Sequence, residues 1–164
     1  MDDSTIFIVG ANGQLGTALR AQYPGAQFAD INELDITSAQ SVDAFDWSGI
    51  DTILNAAAYT NVDGAETAEG RVAAWSVNAS AVANLVHACQ KHGMTLVHIS
   101  SDYVFDGTKK PHTEEESFSP LGVYGQSKAA GDLVAATLEK HYILRATWVI
   151  GEGKNFVRTM LGLA

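Results

Sequence analysis

Tyr124 and Lys128 stand four residues apart, the spacing that brings two side chains to one face of a helix, where both can act on the same bound molecule. A free phenol titrates near pH 10 (roughly), and a neighbouring ammonium favours its ionised form, drawing it toward general acid/base work at a carbonyl oxygen. The same ammonium can grip sugar hydroxyls. Upstream, Ser100-Ser101-Asp102 follows an apolar run, and the Ser101 hydroxyl can hydrogen-bond a carbonyl oxygen as charge develops on it. The third group is Gly10-Ala11-Asn12-Gly13-Gln14-Leu15-Gly16, a GxxGxxG pattern. Gly10 permits a tight turn, Gly13 lets the backbone approach a pyrophosphate, and Gly16 allows close helix-to-strand packing; the helix N-terminus then attracts the anion. Together the three groups imply hydride-transfer chemistry on a nicotinamide dinucleotide, NADPH or NADH.

Further residues fit that reading or a plainer one. Asp30 lies twenty positions after Gly10, where a carboxylate can accept hydrogen bonds from ribose hydroxyls and repel a 2′-phosphate, although nearby side chains can turn to admit NADPH. A strand-end turn acid is its alternative role. Asp35 and Ile36 can meet an adenine edge or serve as a cap or loop. In Asn55-Ala56-Ala57-Ala58 the small residues suit a flat ligand or close packing. The five histidines, His87, His92, His98, His112 and His141, have no metal-ligand spacing and read as structural or surface groups; no metal site is expected. Glu114-Glu115-Glu116 reads as a solvated loop edge.

These groups need a scaffold that brings them to one edge. Ile6-Phe7-Ile8-Val9 predicts a first strand, with Leu15, Ala18 and Leu19 at helical spacing after it. Strands are expected around Gln27 to Ile31, at Thr52-Ile53-Leu54, at Leu96-Val97-His98-Ile99 and from Tyr142 toward Ile150. Between them lie a polar helix from Ser38 to Phe45, a long helix over 71–92 stopped by Gly93, and a helix from Ser127 to Leu138. Asp106 to Val123 is the longest loop, and Asn155 to Ala164 resembles the start of a helix. Apolar strands alternating with helices predict an α/β, doubly wound parallel sheet of Rossmann type, with ligands at the carboxyl ends of the strands.

With 164 residues, 46% of them hydrophobic, the chain suits one domain with its own core. A formal net charge of −9 opposes binding to nucleic acid and to anionic membranes. The single cysteine, Cys89, rules out an intrachain disulfide and sits in an apolar helical stripe as a buried thiol. The acidic start Met1-Asp2-Asp3-Ser4 and the short apolar run after it do not form a signal peptide or a span, so a cytoplasmic protein is expected.

On the segments GANGQLG (10–16), LDIT (34–37), NAAAYTNVDGAE (55–66), SSDYVFDG (100–107), SPLGVYGQSK (119–128) and LRATWVIG (144–151), the chain resembles extended short-chain dehydrogenases/reductases, and within them the dTDP-4-dehydrorhamnose reductase family. The resemblance implies NAD(P)H-dependent reduction of the C4 ketone of dTDP-4-dehydro-6-deoxy-L-mannose to dTDP-L-rhamnose. It implies that Gly13, Gln14 and Leu15 cradle the pyrophosphate, that Asp30, Asp35 and Ile36 surround the adenosine, and that Ala58, Tyr59 and Thr60 line the cofactor. Tyr124 then protonates the alkoxide, Lys128 binds ribose and tunes Tyr124, Ser101 holds the ketone oxygen, and Asp102 and Trp148 touch the sugar. Residues 1–164 then correspond to the cofactor-binding domain of a truncated chain, with the C-terminal nucleotide-sugar lobe absent, an unfinished sheet edge exposing apolar surface, and a homodimer as an option for the full-length protein. Two alternatives stay open: a noncatalytic dinucleotide-binding regulatory subunit of the methionine adenosyltransferase beta type, and another nucleotide-sugar epimerase or reductase. Asp102 followed by Tyr103 argues against a dehydratase, which usually carries an acidic pair at that point.

Overall fold

The computed structural model describes residues 2–151 and 156–163. Five strands, β1 (Ile6–Val9), β2 (Gln27–Ala29), β3 (Thr52–Asn55), β4 (Thr95–Ser101) and β5 (His141–Ala146), pair in the order β2-β1-β3-β4-β5, all parallel. Helices α1 (Gln14–Gln22), α2 (Ala39–Ala44), α3 (Ala68–Trp75), α4 (Ala81–His92), α5 (Val123–Ala135) and α6 (Phe156–Leu163) complete the doubly wound α/β fold. The chain leaves β1 in one direction to reach β2 and returns past it to β3, so the topological switch lies between β1 and β3, the place where such sheets hold ligands.

Parallel strands alternate their side chains between two covered faces, which explains why β1 is apolar at every position. Phe7 and Val9 join the larger core with Ile53, Leu96, Val82, Leu85 and Cys89 on the α4 side, while Ile6 and Ile8 pack with Ala11, Leu19 and Tyr23 under α1. Cys89 is fully buried there, and burial pushes its thiol up to about 12. At the β5 edge, Tyr142 and Leu144 are 64% and 52% exposed. Among the described residues no helix is long and apolar enough to cross a membrane.

Several boundaries differ from the sequence reading. Helix α5 begins at Val123, four residues before the expected Ser127, because Glu66 supplies its cap from 57 positions away: Val123 N donates to Glu66 Oε1 at 2.7 Å. The 71–92 stretch divides into α3, a π-helical turn at Ser76–Ser80 and α4. Strand β5 stops at Ala146, where its partner β4 ends at Ser101 and no further pairing is available, rather than reaching Ile150. Strand β2 ends at Ala29, leaving Asp30 just beyond it. Helix α2 falls inside the expected range with Ser38 as its N-cap, and Gly93 closes α4 in the left-handed region (φ 73°). The expected tail helix is seen as α6, its outer residues 155 and 164 lying outside the described set.

The glycine turn is packed too tightly to admit side chains. A Cβ at Gly16 would lie 2.1 Å from the Gly10 carbonyl oxygen, and Gly10, at φ +74°, faces the Ala57 amide so closely that a Cβ there would come within 2.6 Å. Gly16→Ala must therefore push α1 away from β1. We expect a loss of about 1–3 kcal/mol in urea unfolding, and unchanged stability would show that α1 can slide without cost.

Candidate active site

Two clefts open beside the carboxyl ends of the strands. The first, of about 310 Å³, is lined by Val9, Gly10, Gly13, Asp30, Ile31, Leu34, Asp35, Ile36, Thr37, Ala56, Ala57, Ala58 and Val77. It lies at the β1/β3 switch and has the first turn of α1 at its rim. Gly13 is the N-cap of α1 without a side-chain cap, so the helix's free N–H groups remain available to an anion. A Cβ at Gly13 would meet only the Gly10 oxygen, at 3.3 Å, which leaves its open side toward the cleft. Small residues on one wall, a helix N-terminus and carboxylates on the other fit the adenosine and pyrophosphate of a dinucleotide.

Asp30 is built into the loop opposite. Its Oδ2 accepts from Asn12 N at 2.8 Å and its Oδ1 from Ile31 N at 2.8 Å, while Arg20, stacked over Phe28, reaches Asn12 Oδ1 at 3.4 Å. Each carboxylate oxygen retains a lone pair for a ribose hydroxyl, so the structural and the ligand role coexist. Asp35 accepts from Thr37 N and Thr37 Oγ1, at 2.9 and 2.7 Å, in a local turn, and the buried Ile36 has its carbonyl held by Asn84 Nδ2 at 2.8 Å. Gln14 and Leu15 form the first residues of α1, both partly buried.

The second cleft, also about 310 Å³, is lined by Asp102, Tyr103, Phe105, His112 and Tyr124, among others. Ser101 ends β4 with its hydroxyl 3.3 Å from Asp102 Oδ1, and it accepts from Tyr103 N at 3.2 Å. Tyr124 sits in the first turn of α5, edge-on to Tyr103 at 5.6 Å between ring centres. Burial pushes the Tyr124 phenol above its ordinary value; the Ser101 hydroxyl beside it pulls the other way, and Asp102 and Tyr103 add to the rise. This differs from the expected lowering by Lys128, whose ammonium is turned away to donate to the Ile99 carbonyl at 2.6 Å. Lys128 is only 2% exposed, and burial brings it down to about 8 while Asp132 works against that. Ser101, Tyr124 and Lys128 thus converge on the end of β4, as their order in the sequence predicts.

The remaining assignments scatter. Ala58 lines the first cleft, but the Tyr59 ring packs with Ala65, Ala74, Val123 and Tyr124, and Thr60 lies exposed beyond it. Asp102 lines the second cleft, whereas Trp148 sits past the end of β5, 56% exposed and outside that lining. The sequence reading missed Asn78. Its Oδ1 accepts from Tyr59 N at 2.9 Å, and its Nδ2 donates to Tyr59 O at 3.1 Å and to Ser127 Oγ at 3.0 Å. It thereby ties the loop after β3 to α5 from within the π-helical turn, a local widening often found at functional sites. The available signal was an amide flanked by Val77 and Ala79 within a mostly apolar helical stretch.

A sequence profile for the family described as the RmlD substrate binding domain matches residues 4–164. The chain belongs to that family. A dTDP-4-dehydrorhamnose reductase of Aggregatibacter actinomycetemcomitans is 43% identical to it over 97% of this chain and 56% of that protein. One of Mycobacterium tuberculosis is 39% identical over 97% of this chain and 55% of its own length. Among solved structures, the dTDP-4-dehydrorhamnose reductase of Bacillus anthracis, in complex with NADP, superposes with a TM-score of 0.88 at 37% identity, covering 96% of this chain and 58% of that one. The Clostridium acetobutylicum protein of the same name gives a TM-score of 0.89 at 39% identity, over 96% and 58% of the two chains. The chain therefore spans just over half the length of the relatives it matches.

In this member of the RmlD family the site rests on a buried polar layer. His98, 0% exposed on β4, accepts at Nδ1 from Asn55 Nδ2 (3.2 Å), because Asn55 Oδ1 is engaged by Ala57 N. Its proton therefore resides on Nε2, facing Asp132 Oδ1 at 3.8 Å. Burial, with Lys128 nearby, pulls His98 down to about 3, so it stays neutral. An unfolded imidazole titrates near 6.5, so between pH 6.5 and 3 the unfolded state binds more protons and stability must fall as pH falls through that window. The loss should reach the order of a few kcal/mol. Urea unfolding of His98→Gln across this range should show a shallower pH slope than the wild type; equal slopes would mean that His98 takes up its proton in the folded state.

Proposed function

We propose that this chain is the dinucleotide-binding part of an NAD(P)H-dependent dTDP-4-dehydrorhamnose reductase. The observation that carries the reading is the convergence of Ser101, Tyr124 and Lys128 on the end of β4, beside a switch-point cleft bordered by the N-terminus of α1. The names of its relatives and the NADP bound to the Bacillus anthracis structure support the same assignment.

In this reading Gly10, Gly13, Gln14, Leu15 and Gly16 hold the pyrophosphate through backbone N–H groups and the helix N-terminus. Asp30 accepts from ribose hydroxyls, favouring NADH in part, and Asp35 and Ile36 flank the adenine. Ala58, Tyr59 and Thr60 line the cofactor, and Lys128 takes the nicotinamide ribose hydroxyls. The cofactor supplies the hydride delivered to C4 of the sugar. As that carbon is reduced, the ketone oxygen acquires negative charge, which the Ser101 hydroxyl stabilises by donating to it. Tyr124 transfers its phenolic proton to the same oxygen and recovers one from solvent. A phenol held above its ordinary value by burial is a protonated donor at neutral pH. Asp102 and Trp148 orient the sugar. The complete Ser101, Tyr124 and Lys128 set supports turnover over a noncatalytic regulatory subunit.

The test is Tyr124→Phe in the protein that carries this chain, assayed by NADPH oxidation with dTDP-4-dehydrorhamnose. We expect kcat to fall by about 10²- to 10⁴-fold with cofactor affinity unchanged. A wild-type kcat with chemistry shown to be rate-limiting would assign the proton to another donor.

A further inference from the structure

Beneath the candidate site lies a set of buried ionisable groups that the reaction as derived does not use. Asp132 is one turn beyond Lys128 on α5 and 1% exposed, and Lys128 is itself 2% exposed. Its Oδ2 accepts from Arg145 Nε of β5 at 2.9 Å. Its Oδ1 has no hydrogen-bond partner among the described residues and faces His98 Nε2 of β4 at 3.8 Å. Burial pushes the Asp132 carboxyl above its ordinary value, and the nearby Ser100 hydroxyl, Arg145 and Lys128 work against that rise toward the ionised form; the Ser100 hydroxyl, also on β4, falls short of a well-formed hydrogen bond. These are the titratable and polar side chains around Lys128 from α5, β4 and β5; from the Tyr124 phenol, one turn earlier on α5, the ammonium is turned away to Ile99 O.

A lysine ammonium in such a place has lost nearly all its water. It has one carbonyl, Ile99 O, as a hydrogen-bond acceptor. Neutral His98 faces Asp132 beyond hydrogen-bond distance and carries no charge to offset Lys128, and Arg145 is a like charge. Asp132 is the carboxylate set among the buried Lys128 and the half-buried Arg145, and its i to i+4 placement holds it on the face of α5 that carries Lys128. Its Oδ2 is held by the Nε of Arg145, and its Oδ1 is left without a hydrogen-bond partner on the side where His98 lies.

We propose that Asp132 is a positioning residue for Lys128: clamped from behind by Arg145, it supplies the negative charge against which the Lys128 ammonium is held at the end of β4. The assignment rests on Lys128 being the ribose-gripping group of the functional reading above. It adds that the grip depends on a residue that touches neither cofactor nor substrate.

The test reads Lys128 itself. In protein labelled with ¹³C-lysine, with the resonance assigned through Lys128→Met, the wild-type Lys128 side chain should titrate near 8. In Asp132→Asn, which keeps the shape and an acceptor for Arg145, the midpoint should drop by about one pH unit or more, and in Asp132→Glu it should return toward the wild-type position. A purely structural Asp132 would lower the melting temperature of the Asn variant and leave the midpoint where it was, which overturns the proposal. Should the Asn variant fail to fold, the wild-type protein decides: the Asp132 carboxyl carbon must keep its ionised shift across the range in which Lys128 titrates, and a neutral Asp132 there overturns it equally. No dinucleotide or sugar is present in this experiment. A protein that bound no NADPH would therefore defeat the functional reading and leave this result standing.

Discussion

The contact on which the arrangement depends is the hydrogen bond from the buried Lys128 ammonium to the Ile99 carbonyl, at 2.6 Å. It fixes one face of α5 to the carboxyl-terminal end of β4, and with that one register brings Tyr124 beside Ser101. Burying a charge is costly unless it is paired and hydrogen-bonded, so the surroundings must answer it. Asp132, paired with Arg145 of β5, lies one turn along α5, and His98 stays neutral beside it. Close approach makes the contact reachable: a Cβ at Gly125 would fall 2.2 Å from the Tyr103 carbonyl oxygen, and one at Gly131 would fall 2.1 Å from that of Asn78. Helix α5 can lie this near to the strand end because both positions are glycine.

The same principle operates at the other end of the sheet. Gly10 and Gly16 press α1 against β1 and the loop after β3, so that the helix N-terminus is presented at the switch point with no side chain of its own covering it. Asn12, drawn in by Asp30, closes the turn from the β2 side. Asn78 then connects the two halves, joining Tyr59 after β3 to Ser127 on α5, whose hydroxyl in turn donates to the Tyr124 carbonyl at 2.7 Å.

What could be read beforehand was whatever is encoded locally. The apolar run 6–9, the glycine turn and the strand-end serine each carry their pattern within a few residues, and the parallel sheet follows from their alternation with helices. The start of α5 was not local, since Glu66 caps it from far along the chain. Nor was the π-helical turn, where Asn78 looks like any polar residue in a helix until Tyr59 and Ser127 come to meet it. His98 and Asp132 were illegible for the same reason: each is a single polar residue in an apolar context, and their meaning lies in a 3.8 Å approach between a strand and a helix. The direction of the Tyr124 shift was misread because the four-residue spacing to Lys128 gives proximity along a helix but not where the ammonium points.

The most direct measurement is a titration of the ¹⁵N-labelled chain with NADPH, followed by backbone amide shifts. The account predicts saturable movement centred on Gly13, Gln14 and Leu15, with Asp30 and Ile36 moving at the same midpoint and the helix α2 surface unaffected. Binding that leaves the Gly13 to Leu15 amides in place, or no saturable movement at all, would contradict it.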